Sequence, residues 1–225
     1  MKIPITRYGL PQALVYPALV LIVMILLFIF LAHNILLIGA EIFLFVIMVW
    51  MISFFRDPPR KIAANENVLL SPADGIITDI TETEISELGG KALCIGMFLS
   101  IYNVHINRMP CSVSVEAVYY KKGVFKSARS NTCGRENESN DLVVKRTAKP
   151  LCRMMVRQIS GAVARRIVCR AVPGSEYRQG ETFGMIKFGS RTELYLPLDT
   201  PDYTIAVKKG DRVNAGLSPL IVFKS

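Results

Sequence analysis

Histidine is all but missing from this chain. The sequence holds two, His33 and His105, and His33 lies in an apolar region. Any imidazole chemistry near neutral pH in the polar part of the chain therefore falls to His105. Cysteine is present but in an odd number: Cys94, Cys111, Cys133, Cys152 and Cys169 make five, with no Cys-x-x-Cys pair. That argues against a disulfide framework or a cysteine zinc site and fits reduced thiols in a cytoplasmic domain. No metal is expected, and the cysteines are assigned no role. Acidic residues are scarce, 18 against 27 Lys and Arg, for a formal charge of +9. The basic excess is scattered, so a nucleic-acid-binding arm, which is usually a dense run, is not expected. Diffuse positive charge suits an anionic membrane surface. Beyond residue 60 helical periodicity is weak, which argues against a bundle there.

What the chain has in excess is apolar sequence at its N-terminus. The mean hydropathy of +0.36 is high for a soluble domain. The excess sits in Ala13 to Ala32 and in Ile35 to Phe55, separated by His33-Asn34 and broken by Glu41. Each run is near the ~20 residues needed to cross the hydrocarbon core, and a signal peptide would have a shorter one. Lys2 and Arg7 precede the first run; Arg56, Arg60 and Lys61 follow the second. Basic residues on both flanks put both ends on the cytoplasmic side of the cell (inner) membrane. The His-Asn tip then faces outward, and Trp50 suits the interfacial belt. A hairpin dipping into one leaflet is the alternative. Residues 1–55 are expected to form a transmembrane helical hairpin that serves as an anchor, and 56–225 a single domain; Glu41 is assigned no role.

Pro58-Pro59 stops any helix. Beyond it, short runs rich in apolar, β-branched and aromatic residues alternate with turns: Ala92 to Leu99, Val113 to Tyr120, Leu151 to Ile159, Ala162 to Cys169, Met185 to Phe188, Thr192 to Leu196, Tyr203 to Val207 and Pro219 to Phe223. This pattern predicts a mainly β domain, an antiparallel barrel or sandwich. Between two of the runs lies Gly189-Ser190. A serine hydroxyl beside an open glycine carbonyl can attack the preceding peptide bond, so the chain could cut itself there; a bulge in a hairpin is the plainer reading. The other Gly-Ser step, Gly174-Ser175, follows Pro173 in polar company and reads as a turn.

Four further stretches carry possible chemistry. Ser71-Pro72-Ala73-Asp74-Gly75 is a good β-turn; its functional reading makes Asp74 the carboxylate that orients a base. His105 stands among Asn103, Asn107 and Arg108, a polar group unusual for a buried strand, although a lone histidine is more often structural. Gly134 to Asp141 is acidic and turn-rich and reads as a solvated loop. Gly161 to Val168 places Arg165 and Arg166 in an apolar run, either facing water at a strand edge or meeting a phosphate, for which the guanidinium fork is suited.

Phe55-Arg56-Asp57-Pro58, Ser71-Pro72-Ala73-Asp74-Gly75, Asn103-Val104-His105-Ile106-Asn107-Arg108, Glu136-Asn137-Glu138, Ala164-Arg165-Arg166-Ile167 and Gly184 to Arg191 occur in this order. Together they resemble the short, membrane-anchored phosphatidylserine decarboxylases, including relatives acting on archaetidylserine, over residues 54–216. The resemblance implies a proenzyme that cuts itself between Gly189 and Ser190 into a large subunit (1–189) and a small one (190–225). It implies that Ser190 becomes a covalent pyruvoyl group that forms a Schiff base with the amine of phosphatidylserine, with carbon dioxide and phosphatidylethanolamine as products; archaetidylserine, decarboxylated by the same mechanism, is the alternative substrate. Ser190 is then the nucleophile, His105 the base and Asp74 its orienting carboxylate, with Arg165, Arg166 and Asn103 as candidate headgroup ligands. The expected partners are the phospholipid, the membrane and the two subunits of one chain; a homo-oligomer is compatible with this. Two segments depart from the family pattern. The longer bacterial branch has a Tyr-His-x-x-His segment where this chain has only His105, and Lys122 to Ala128 is looser than the family form. The competing class is a non-catalytic, membrane-tethered adaptor of biotinyl or lipoyl type, recommended by Ser71-Pro72-Ala73-Asp74-Gly75 and the loop Lys208 to Gly216. It lacks a matching modified lysine and leaves Gly189-Ser190 unexplained.

Overall fold

A computed structural model describes residues 5–31, 35–130, 132–162, 166–187 and 189–224. Lys2, His33, Asn34, Arg165 and Phe188 lie outside the described residues. The chain divides into two compact units, Met1–Pro59 and Arg60–Ser225.

The first unit holds helices α1 (Leu10–Leu31) and α2 (Ile35–Phe54), which pack on each other. Their windows Leu10–Phe30 and Leu36–Phe54 are long and apolar enough to cross a membrane. Large side chains such as Phe28, Phe30, Leu36 and Phe43 are exposed, so apolar surface lies open as in a membrane span rather than a soluble core helix. Arg56 donates to the Ser53 carbonyl at 2.9 Å, a cation on the C-terminal end of α2 where orphan carbonyls and the helix dipole favour one. The N-terminal segment folds back on this end, with the Thr6 amide donating to the Phe55 carbonyl at 2.8 Å.

The second unit is built almost entirely of antiparallel strands. In chain order these are β1 (Val68–Leu70), β2 (Gly75–Ile85), β3 (Gly90–Leu99), β4 (Ile106–Arg108), β5 (Val113–Lys121), β6 (Ser139–Arg146) and β7 (Arg153–Ser160). They continue with β8 (Arg166–Cys169), β9 (Glu176–Tyr177), β10 (Thr182–Lys187), β11 (Ser190–Pro197), β12 (Tyr203–Ile205), β13 (Arg212–Val213) and β14 (Pro219–Phe223). One helical turn, α3 (Cys133–Glu136), precedes β6. The main sheet has eight strands in the order β13-β2-β3-β11-β7-β6-β5-β9. It is open, with β13 and β9 at its edges, so the expected barrel does not close. Two three-stranded sheets, β1-β14-β12 and β4-β10-β8, complete the unit. The principal core, including Leu69, Ile77, Met97, Phe183, Leu194, Leu196 and Phe223, joins residues of the main sheet to residues of both small ones; a lesser cluster holds Cys94, Met155 and Tyr195. The central strands are thus buried on both faces, which is why they read as apolar runs rather than clean alternations.

Two local expectations change. The Gly134 to Asp141 stretch is not a solvated loop: only α3 is a turn, and from Ser139 the chain is a buried strand of the main sheet. Its polar side chains are tolerated because they are partnered across the sheet. Asp141 accepts from Arg157 at 2.6 and 2.7 Å, and Asn140 donates to Gln158 at 3.2 Å, removing the penalty of burying them alone. Nor are the runs flanking Gly189-Ser190 two arms of a hairpin. β10 pairs with β4 and β8, whereas β11 pairs with β3 and β7, so the chain changes sheets at that step.

Candidate functional site

The change of sheet needs a sharp corner. Gly189 makes it with φ +60°, a left-handed conformation that costs glycine little and other residues more. Its carbonyl packs against Gly161, where a Cβ would lie 2.1 Å from the Gly189 oxygen and 3.2 Å from the Cβ of Ala128. Only a residue without a side chain fits between them. Next, Ser190 opens β11, paired with Leu99 and Ser160. It is fully buried, and its Oγ has no hydrogen-bond partner among the described residues. A buried hydroxyl left unpaired costs about 1–3 kcal/mol. Such a group is uncommon enough to mark a place where something other than stability is being served.

The wall beside this corner is held by Asn137. Its Nδ2 donates to the carbonyls of Ser160 and Lys126, both at 2.8 Å, and its Oδ1 accepts from the Lys126 amide at 3.0 Å. One buried side chain thereby ties the 122–128 segment to the end of β7, next to Gly161.

His105 arrives from the other side. After β3 ends at Leu99, the chain turns through Ser100 to Val104. Asn103 Oδ1 accepts from the Ser100 amide at 2.8 Å and its hydroxyl at 2.7 Å, closing the turn. The Asn103 carbonyl then sits 2.9 Å from His105 Nδ1. A carbonyl can only accept, so Nδ1 carries the proton and Nε2 is the unprotonated nitrogen of the neutral ring. The ring is fully buried, and the His105 carbonyl accepts from the Ile186 amide at 3.3 Å. Two residues on, Asn107 Nδ2 donates to Thr192 Oγ1 at 3.0 Å while its Oδ1 accepts from Gln158 at 2.9 Å. Residues two apart on a strand share a face. The Asn107–Thr192 contact therefore joins the face that continues to His105 with the face of β11 that carries Ser190.

Asp74 lies just before β2. Its two oxygens accept from Arg60 at 2.7 and 2.8 Å, and one also accepts from the Ala215 amide at 2.7 Å. Arg60 also donates to the Ala215 carbonyl. The carboxylate is thus engaged by a buried, two-pronged arginine, and the group seen orienting His105 is the Asn103 backbone. Asn103 spends its side-chain oxygen on Ser100. Arg166 is exposed at the start of β8, opposite Lys187 in register. Lys187 is buried, and its ammonium pKa is lowered by burial and by the neighbouring Arg166 charge. Asn137, Gly161, Asn107 and Lys187 were not singled out as site residues from the sequence. Asn137 lies in a stretch that reads as loop and Gly161 at the head of an apolar run, and the tertiary contacts bring both to the Gly189 corner.

The opposite face of β11 has another character. Arg191 donates to Asp79 at 2.6 Å, to Thr78 at 2.6 Å and to Glu193 at 2.7 Å. Glu193 also accepts from the Tyr195 hydroxyl, and Arg157 reaches that hydroxyl at 3.2 Å. Asp79, Arg157, Arg191, Glu193 and Tyr195 line a cleft of about 710 Å³ that does not include Gly189, Ser190 or His105. Burial pushes the Cys94 thiol up and the Cys111 thiol up to about 12, so both are protonated packing groups rather than nucleophiles.

A family model described as phosphatidylserine decarboxylase matches residues 47–220. A protein named phosphatidylserine decarboxylase proenzyme from Carboxydothermus hydrogenoformans is 42% identical over 175 residues, covering 77% of this chain and 80% of the relative. Its namesake in Geotalea daltonii is 41% identical over 179 residues, covering 80% and 81%. One in Wolbachia pipientis is 42% identical over 168 residues, covering 72% and 71%. With identity at this level along most of both partners, and the match running through β2, β4, β7 and β11, the chain belongs to the phosphatidylserine decarboxylase family of enzymes.

Proposed function

We propose that this protein is a proenzyme that cuts its own chain between Gly189 and Ser190 and then decarboxylates phosphatidylserine to phosphatidylethanolamine. The observation that carries the proposal is the buried, unpartnered Ser190 hydroxyl at a left-handed glycine corner. Cutting begins when His105 takes the Ser190 proton at Nε2. The oxygen adds to the Gly189 carbonyl carbon, the Gly189–Ser190 C–N bond breaks, and the acyl group passes from nitrogen to oxygen. Elimination across the Cα–Cβ bond of residue 190 releases Gly189 as a carboxylate. The dehydroalanine left behind takes up water and loses ammonia, giving an N-terminal pyruvoyl group on 190–225. The residues fit such a group: the position is dry, its side-chain oxygen has no structural bond to lose, and β11 holds it by pairing on both sides. Once formed, the pyruvoyl carbonyl supplies an electrophile for the headgroup amine and a sink for the electrons released with carbon dioxide.

The remaining roles belong to the chain's own side chains. With a proton taken up from solvent at Nε2, His105 can donate it to the substrate carbon after carbon dioxide leaves. Arg166, with Arg165 beside it in sequence and Lys187 across the ladder, offers positive charge to the phosphate or carboxylate of the headgroup. Asp74 holds Arg60 and the 215 backbone; a carboxylate oxygen accepts more than one bond, and the role proposed for Asp74 is to orient His105. In this reading the hairpin anchors the chain to the bilayer, and the basic residues Arg7 and Arg56 at its ends favour a cytoplasmic side for the catalytic unit.

Intact-mass analysis of the purified protein tests this. Two fragments are expected, one ending at Gly189 and one beginning at residue 190 without a free amine, and Ser190→Ala should give one uncut chain. A wild-type preparation that stays whole and still releases carbon dioxide from phosphatidylserine would overturn it. His105→Ala should remain largely uncut, and normal cutting there removes His105 from the role of base.

A further inference from the structure

In the antiparallel main sheet, one end gathers the start of β2, the end of β3, the start of β11, the end of β7, the start of β6 and the end of β5. Ser190 is at this end. Two loops leave the sheet beside it: Ser100 to Val104 after β3, and 122–128 after β5. Both expose large apolar side chains: Ile101 38%, Tyr102 72%, Val124 49% and Phe125 44%. The neighbouring charges are predominantly basic. Lys121, Lys122, Lys126 and Arg129 are exposed; of the local acids, Glu136 is paired with Lys126 and Glu138 is buried, accepting from the Tyr120 hydroxyl. The other end of the sheet differs, with exposed Leu151 among charges of both signs: Glu84, Asp199, Lys91 and Lys149.

We propose that the 100–104 and 122–128 loops form a docking surface that seats the Ser190 end of the sheet on an anionic phospholipid bilayer. The occupant is specified by chemistry. Exposed aromatic and aliphatic side chains with lysine and arginine nearby match a headgroup boundary, where apolar tips enter the acyl edge and cations meet lipid phosphates. The same chain supplies two helices apolar enough to cross that bilayer. A phospholipid substrate must leave the membrane at the reaction centre, and a surface of this kind around Ser190 shortens that path. The inference rests on the reading of Ser190 as the reaction centre.

The test uses the full chain carrying Trp50→Phe, which removes the one native indole. The variant is reconstituted in vesicles of phosphatidylcholine and phosphatidylglycerol. A single tryptophan is introduced by Tyr102→Trp, by Phe125→Trp or, at the far end, by Leu151→Trp. Lipids brominated near the glycerol should quench the indole at 102 and at 125 by about twofold and leave the one at 151 unchanged, as expected for tips lying within ~10 Å of the headgroup boundary. Equal quenching at all three positions, or none at 102 and 125, overturns the proposal. So does shielding of 102 and 125 from aqueous iodide without lipid quenching, which would point to a second protein copy. In a second arm, Tyr102→Ser with Phe125→Ser should leave cutting unchanged. It should also keep activity on a dissolved short-chain phosphatidylserine while lowering carbon dioxide release from vesicle-borne substrate about tenfold. An equal loss on both substrates overturns the docking role. A wild-type chain that neither cuts nor acts on the dissolved lipid overturns the reading of Ser190 instead, and the quenching pattern still decides the surface.

Discussion

The two faces of β11 are built to opposite rules. On one face, Arg191, Glu193 and Tyr195 bond to one another and to Asp79, Thr78 and Arg157. On the other, Ser190 is fully buried with no partner for its hydroxyl among the described residues. A strand crowded with charge on one side and leaving a hydroxyl idle on the other separates two tasks. The ionic face pins the strand, because removing one member strands its partners in a place where bare charge is expensive. The serine face can then keep an unsatisfied group in position, since the strain is held by neighbours that do not react.

The contrast can be broken from either side. The largest effect is expected from Ser190→Ala, which should abolish cutting entirely while the unit still unfolds cooperatively, because the hydroxyl it removes holds nothing together. A variant that loses its fold would give Ser190 a structural duty after all. Next is Arg191→Ala. Leaving Asp79 and Glu193 unpaired should cost about 3–5 kcal/mol, a fall of ~10 °C in melting temperature for a domain of this size. An unchanged melt would mean the ionic face is ornamental. Gly161→Ala should cost less stability, about 1–3 kcal/mol for forcing a methyl into a filled space. Its mark should be on chemistry: a displaced Gly189 carbonyl is expected to slow cutting by roughly tenfold to a hundredfold, read as the half-life of the uncut chain on a gel.

The smallest effect concerns acid. Burial pushes the Asp79 carboxyl up, but its hydrogen bonds to Arg191 and Thr78 and the Arg191 and Lys209 charges outweigh that and hold it below its ordinary 3.8. A carboxyl depressed in the folded state contributes stability above its unfolded value, and loses it as pH falls through the lower folded one. The melting temperature should therefore drop on acidification below pH 3.8, and Asp79→Asn should flatten that limb. An identical acid limb in the variant would show that other carboxylates set it.

Much of this site was legible in the sequence as separate pieces. Gly189-Ser190, His105 and the Asp74 turn could be named because glycine, histidine and a Pro-Ala-Asp-Gly turn each have narrow physical uses. Their relations could not. The acidic stretch from Gly134 looked like loop, since nothing in its composition says that Arg157 and Gln158 wait across the sheet to satisfy Asp141 and Asn140. Nor does the sequence say that Arg60 returns to bond both oxygens of Asp74.

By itself the sequence determined the elements: two apolar runs of membrane length, a set of β-rich runs, one usable histidine and one glycine-serine step between two of those runs. These follow from local chemistry, from the length of hydrocarbon a helix must cross to the few residues that tolerate a left-handed turn. Tertiary structure alone decided that the step is a corner between two sheets rather than the tip of a hairpin, that Gly161 and Asn137 wall it in, and that the Ser190 hydroxyl has no bond among the described residues. Those outcomes depend on which strands pair across tens of residues, and pairing is settled by the packing of the whole core.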